Sequence, residues 1–156
     1  MQGIDRKAAI GAGLVAGVAF MMLEMVLVAT AGEGSLWGPP RMIAAILMGD
    51  GVLPPPASFD LTIFLVAMAI HLVLSVLLAL AFALIADRAG WALGTAAVAG
   101  MIFGLIIYFF NFYAMTEVFP WFAMARGAIS IFAHLAFGLV LGYLYRRLAP
   151  IIVQRV

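Results

Sequence analysis

The chain contains no cysteine, and only 10% of its 156 residues are charged. Without cysteine it cannot form disulfides, thiolate metal sites, iron–sulfur clusters or cysteine nucleophiles. A soluble domain is about half apolar, whereas this chain is 67% hydrophobic, more than a small soluble domain could bury. The composition therefore indicates an integral membrane protein. The net charge of +1 gives no electrostatic reason to expect a nucleic acid as a partner.

Four long apolar runs predict membrane spans. A helix that crosses a hydrocarbon core about 30 Å thick needs about 20 apolar residues. The runs are continuously apolar rather than alternating, which favours helices. We therefore predict an all-α membrane domain over residues 1–156 with an outer loop at 32–60 and with spans at about residues 8–31, 61–86, 91–116 and 122–145.

The links between the runs predict how the spans are arranged. The turn at residues 87–90 and the short link that contains Pro120 favour antiparallel neighbours, so we expect an up-and-down bundle of four helices. In the outer loop, Pro39-Pro40-Arg41 leads into an apolar run that ends at Met48. This run is too short to cross a bilayer, and proline suits a first helical turn. We predict a short interfacial helix there.

The positions of the basic residues predict the orientation of the chain. Lysine and arginine concentrate in the cytoplasmic loops of membrane proteins. If both termini lie on the same side of the membrane, most basic residues lie there too, so we expect both termini to be cytoplasmic. The first run resembles a cleaved signal peptide, but its length and the presence of Glu24 favour a permanent span. The basic residues that predict this orientation are Arg6, Lys7, Arg88, Arg146, Arg147 and Arg155.

Three spans contain glycine pairs with the spacing G-x-x-x-G. Lipid tails are as apolar as leucine, so membrane helices associate through close contact of small residues and through buried polar groups. At about 100° per residue, polar side chains share faces with these glycines. We therefore predict helix packing at Gly13, Gly17, Gly100, Gly104, Gly138 and Gly142.

Polar residues on the same faces predict a polar pocket inside the bundle. Glu24 is the strongest candidate, because a carboxyl group in hydrocarbon is costly and marks a functional site by default. It could bind a proton or a cation, or it could join helices. The full set of candidates for this pocket or ion site is Glu24, His71, Ser75, Asn111, Ser130 and His134.

His71 and His134 are the only histidines in the chain, and we expect them at similar depths. Two imidazoles at one level could be the axial ligands of a haem b. Together with Glu24 they could instead bind a divalent metal. The favoured interpretation is that they form hydrogen bonds between helices, so that neither cofactor is preferred over none.

The chain resembles the YagU-type group of small bacterial inner-membrane proteins. The similar segments are Gly13–Val18, Pro39-Pro40-Arg41, the pair His71 and Ser75, and Ile131–Leu135. The outer loop is shorter than in that group, and the residues around Trp121 differ. The resemblance implies a multi-pass protein of the bacterial inner membrane and directs attention to the two histidines. It supplies no established reaction.

These observations leave three functional hypotheses. The first is a non-enzymatic structural or accessory component of a membrane complex, because nearly all of the chain is membrane span. The second is a small proton- or cation-linked transport protein, working as a homo-oligomer through Glu24, His71, His134 and Asn111. The third is a membrane cytochrome with haem held by the two histidines. No nucleophile elbow, phosphate loop or metalloprotease motif points to an enzyme.

Overall fold

A computed structural model describes residues 4–31, 34–53, 55 and 57–149. Within those ranges every regular element is helical, which confirms the predicted all-α class. Short 3₁₀-helices and one π-helix, Phe110–Ala114, join the longer elements. The α-helices are α1 (Arg6–Thr30), α2 (Gly38–Met48), α3 (Leu61–Arg88), α4 (Leu93–Phe109) and α5 (Ala128–Leu148).

The four long helices agree with the prediction of apolar spans. In the described part of the chain, α1, α3, α5 and the helical segment Leu93–Glu117 are long and apolar enough to cross a membrane. Aspartates fix where two of them begin: Asp5 accepts a hydrogen bond from the Ala8 amide (3.0 Å), and Asp60 accepts one from Ile63 (2.9 Å). Such caps satisfy amide groups that have no partner inside the helix.

The fourth span differs from its prediction at the start. It was expected from residue 122, but α5 begins at Ala128, and Pro120–Ala125 form a separate 3₁₀-helix. Proline is suited to the first turn of this short helix. Arg126 and Gly127 then have extended backbone and separate it from α5. Composition could not reveal this break in the helix, because the residues of the 3₁₀-helix are as apolar as those of a membrane span.

The contacts link the four long helices in the order α3, α1, α5, α4. Although a tight turn joins α3 to α4, those two helices make few contacts. They meet near that turn, where the Phe82 ring lies 6.1 Å from Trp91 and 5.4 Å from Phe103. We call this end the turn end, and the opposite end, which carries α2 and the short helices, the loop end. Towards the loop end α3 and α4 leave a cleft between them.

The core of the molecule is built largely from alanine and lies towards the turn end. Fully buried alanines of α1, α3 and α4 surround Phe82, Leu141 and Tyr145. At the loop end, α2 packs on α3, and the Trp121 indole donates a hydrogen bond to the Met42 carbonyl (3.1 Å). A helix therefore exists where the outer loop was predicted to contain one. Its position relative to a bilayer stays a prediction.

Candidate functional site

Four of the six predicted packing glycines bring α4 and α5 into backbone contact. A Cβ atom added to Gly138 would collide with the carbonyl oxygen of Gly100, and one added to Gly104 would collide with the carbonyl oxygen of His134. Gly142 faces the backbone of Ala96 in the same way. This contact fixes α5 against α4 and so sets the position of the polar residues that α5 carries.

The other two glycines lie between α1 and α3. A Cβ atom on Gly13 would lie 2.7 Å from the Cβ atom of Ala79, and one on Gly17 would lie 2.6 Å from the Ser75 hydroxyl. The same Cβ on Gly13 would lie 2.9 Å from the Ser75 carbonyl oxygen, so the backbones approach closely there, whereas at Gly17 the neighbouring atoms belong to side chains. Ser75 is buried at this interface and donates a hydrogen bond to the His71 carbonyl (2.8 Å).

Glu24 joins α1 to α5 inside the protein. Its Oε1 accepts a hydrogen bond from the Ser130 hydroxyl, and the side chain is only 6% exposed. Its second carboxyl oxygen, Oε2, is buried and has no hydrogen-bond partner among the described residues. In the same part of the chain no lysine, arginine or histidine forms an ion pair with it. The structure thus places a carboxyl group without a counter-charge in the middle of an apolar protein.

Each histidine is held by a backbone carbonyl. The Nε2 atom of His71 lies 2.8 Å from the Gly17 oxygen, and the Nδ1 atom of His134 lies 2.7 Å from the Ser130 oxygen. Because a carbonyl only accepts, each of these nitrogens is the donor. The Nε2 atom of His134 therefore remains an acceptor, and the Asn111 amide nitrogen lies 3.5 Å from it.

Asn111 reaches His134 from the π-helix at the end of α4. A π-helix is rare, and it occurs frequently at functional sites. Arg126 holds this segment from the following link, because its Nε donates to the Phe112 carbonyl (2.6 Å) and its guanidinium lies 4.4 Å from the centre of the Tyr113 ring. The π-helix is thus held by two contacts, one with His134 of α5 and one with Arg126 of the link that precedes α5.

These polar residues line one large cavity between α3 and α4. Its volume is about 1120 Å³, and all six predicted pocket residues contribute to it. Its walls are mainly apolar, and its rim includes Leu74 and Leu77 of α3 and Ile106 and Phe110 of the α4 side. Those four side chains are 46–59% exposed on the outside of the molecule. The cavity is therefore a cleft that opens sideways between two helices, and through the exposed residues Met124 and Arg126 it also reaches the surface at the loop end.

The two histidines do not fit a haem held between them. Bis-histidine ligation requires a nitrogen of each ring to face one iron from opposite sides. Here the Phe20 ring packs against both imidazoles, with ring centres 5.3 Å from His71 and 4.7 Å from His134, so that a macrocycle bound to both would have to displace it. Within the described ranges no group of three or more acidic or histidine side chains could hold a metal ion.

Sequence reasoning missed a charged cluster at the turn end. Arg146 of α5 forms an ion pair with Asp87 of α3 (2.6 Å), and the Tyr145 hydroxyl donates to the other oxygen of Asp87 (2.6 Å). Arg146 is 6% exposed, although its charge had been used only to predict orientation. The partners are 59 residues apart, and no local pattern links them.

Comparisons of the chain with protein-family models, with curated proteins and with solved structures found no match. The likeness to the YagU-type group therefore remains a prediction from the short motifs that suggested it.

Proposed function

We propose that this chain is a non-enzymatic accessory protein of the bacterial inner membrane that binds a membrane-soluble molecule in the cleft between α3 and α4. One observation carries the proposal: a cavity of about 1120 Å³ has apolar walls, a polar floor and a lateral opening. Small-molecule sites are typically of this size and are mostly apolar with a few convergent polar groups. We further propose that the loop end faces away from the cytoplasm, as the distribution of arginine and lysine predicts.

The lateral opening suits a molecule that arrives from the bilayer. The residues at the rim, Leu74, Leu77 and Ile106, are exposed on helices that are apolar enough to face lipid. A guest would move from lipid tails into the cleft without entering water. Because tails and walls are equally apolar, this transfer gains little from the hydrophobic effect. Selectivity among membrane-soluble molecules must therefore come from the shape of the cleft and from its polar residues Glu24, Asn111 and His134, which we call the polar floor.

Photolabelling in lipid nanodiscs tests this proposal. The probe is a neutral long-chain alcohol with a diazirine group, and labelled residues are identified by mass spectrometry. We expect labelling of cleft residues such as Leu78 and Phe103 to be suppressed by excess unlabelled alcohol, because a cavity holds a limited number of molecules. Labelling of Val98, which is 59% exposed and does not line the cleft, should not be suppressed.

A matched pair of tryptophan variants on α3 makes the test specific. Leu77 lines the cleft and is 57% exposed, whereas Val73 is 60% exposed and does not line it. Leu77→Trp should reduce the suppressible labelling at least threefold, and Val73→Trp should leave it unchanged. If labelling of the cleft cannot be suppressed in the unaltered protein, or if both variants behave alike, the proposed function is wrong.

A second function, proton- or cation-linked transport by a homo-oligomer, is favoured by Glu24. A carboxyl group that lines a membrane cavity with no ion-pair partner among the described residues is a candidate for binding a proton or a cation. Glu24→Gln should then abolish flux in reconstituted vesicles while the helical fold persists. Equal flux through the variant would exclude this function and would leave binding in the cleft intact.

A further inference from the structure

We infer that the molecule bound in the cleft is a lipophilic organic cation, held by the carboxylate of Glu24 and by the faces of the surrounding phenylalanine rings. This inference rests on the proposed function, because it names the chemical class of the molecule that the same cleft takes. It is carried by the charge, the aromatic lining and the hydrogen bonds of the cleft.

The charge of the cleft is the first step. Glu24 lines the cavity, is 6% exposed and has no ion-pair partner in the described part of the chain. An ionised carboxylate in hydrocarbon is stabilised when a cation pairs with it, and intramembrane charges usually have such a partner. Among the residues that the structure describes, the hydrogen bond to its carboxyl group comes from the neutral hydroxyl of Ser130. A cationic guest would supply the missing counter-charge.

Arg126, the arginine that lines the cavity in the described part of the chain, uses two of its five donors in contacts with its own segment. Arg126 is exposed, donates to the Phe112 carbonyl and the Thr116 hydroxyl, and stacks over Tyr113. An anionic head group that entered the interior of the cleft would meet the buried carboxyl group of Glu24, whereas the guanidinium of Arg126 lies at the exposed surface. The charge distribution favours a cation over an anion.

The aromatic lining is the second step. Phenylalanine rings attract cations over their faces, and the attraction is strongest where water is excluded. An organic cation with apolar substituents would fill a large apolar cavity and still gain from these faces, whereas a small hydrated metal ion would not. The six phenylalanines that line the cavity are Phe20, Phe103, Phe110, Phe112, Phe122 and Phe137.

The hydrogen bonds of the floor are the third step. His134 donates through Nδ1 and leaves Nε2 as an acceptor, while Glu24 adds carboxyl oxygens. The Asn111 amide nitrogen lies 3.5 Å from that Nε2 atom, so the acceptor without a partner among the described residues is the Oε2 atom of Glu24. A cation can pair with this oxygen, whereas an anion would be repelled by it.

Two ions of equal shape and opposite charge test the inference. Tetraphenylphosphonium and tetraphenylborate each carry four phenyl groups on one central atom. Each is added as a competitor of the neutral diazirine alcohol in nanodiscs, with protein-free nanodiscs used to correct for partition into lipid. We expect the phosphonium to suppress labelling of the cleft at a corrected concentration at least tenfold lower than the borate.

Variants of Glu24 assign this preference to its charge. Glu24→Gln should reduce the ratio between the two ions at least tenfold, and Glu24→Asp should restore most of it. Glu117→Gln is the matched control, because Glu117 is exposed and does not line the cleft. It should leave the ratio unchanged. If Glu24→Gln does not fold, the ratio in the unaltered protein and in Glu24→Asp still decides the question.

The outcomes separate the inference from the function on which it rests. Suppressible labelling by the neutral alcohol with equal potency of the two ions would overturn the inference and retain the proposed function. A phosphonium preference that persists in Glu24→Gln would also overturn the role of Glu24. No suppressible labelling of the cleft by any probe would overturn both.

Discussion

The two sides of the molecule are packed in different ways, although both are made of apolar helices. On one side, glycines bring the backbones of α4 and α5 into contact. On the other, α3 and α4 follow each other in the chain but separate towards the loop end and leave the cleft. In the most apolar 18-residue stretch of each helix, 44% of α5 is buried but only 17% of α3.

This difference shows that apolarity does not bring helices together in a membrane. The most apolar 18-residue stretch of α3 has a mean hydropathy of 2.8, and this helix contains no glycine, whereas the corresponding stretch of α5 has a mean hydropathy of 1.8 and the helix contains Gly138 and Gly142. Lipid tails solvate leucine as well as another helix does, so close contact of small residues decides which helices associate. The cleft exists where such residues are missing.

The largest expected effect comes from disrupting the close contact between α4 and α5. Gly138→Ala places a methyl group against the carbonyl of Gly100, a backbone atom that cannot rotate away. We expect the free energy of unfolding in detergent to fall by about 3 kcal/mol, the upper end of the cost of overpacking. Gly94→Ala is the control on the same pair of helices, since nothing lies within 4 Å of an added Cβ there. A loss of the same size in both variants would contradict the comparison.

An intermediate effect is expected at the turn end, where α3 is held to α5. Arg146→Ala removes the ion pair with Asp87 and leaves the Tyr145 hydroxyl as a donor to that carboxylate. A fully buried pair costs 3–5 kcal/mol to break, but the Asp87 side chain is 26% exposed, so we expect a loss of about 2 kcal/mol. Denaturant unfolding measures this loss. An unchanged midpoint would show that this ion pair adds nothing measurable to the contacts that α3 makes elsewhere.

The smallest effect is expected between α1 and α3. Gly17→Ala would place its methyl group 2.6 Å from the Ser75 hydroxyl, which can rotate away, and 2.9 Å from the Ser75 Cβ atom, which a small shift of α3 against α1 can relieve. We expect a loss of about 1 kcal/mol, the lower end of overpacking costs. Gly11→Ala is the control on α1, because its nearest neighbour would be the far end of Leu148 at 3.9 Å. A Gly17→Ala loss as large as that of Gly138→Ala would mean that both interfaces are equally tight.

Much of the fold could be predicted from the sequence, because a run of about 20 apolar residues has few structural solutions. The helical class and the four long apolar helices are confirmed. The start of α5 was missed because the 3₁₀-helix Pro120–Ala125 is apolar and lies next to it in the chain. Orientation, membrane of residence and oligomeric state stay predictions.

The candidate site could be predicted as a set of residues but not as a shape. Helical periodicity placed Glu24, Ser130 and His134 on inward faces, and all three line the cavity. Periodicity within one helix says nothing about which helix lies opposite. The contact of Phe20 with both histidines, and the separation of α3 from α4, therefore depend on contacts between segments that are distant in the chain.

The hydrogen bond between Glu24 and Ser130 has a consequence for how the protein assembles. Its partners are 106 residues apart, and α1 packs on α5, which follows the other long helices in the described part of the chain. During synthesis α1 can pair with α3 early. The carboxyl group of Glu24 lacks its hydrogen bond from Ser130 until α5 has been inserted into the bilayer. Contacts between such distant segments form slowly. Assembly should therefore finish in a single late step, in which α5 arrives with α4 and closes the row of helices.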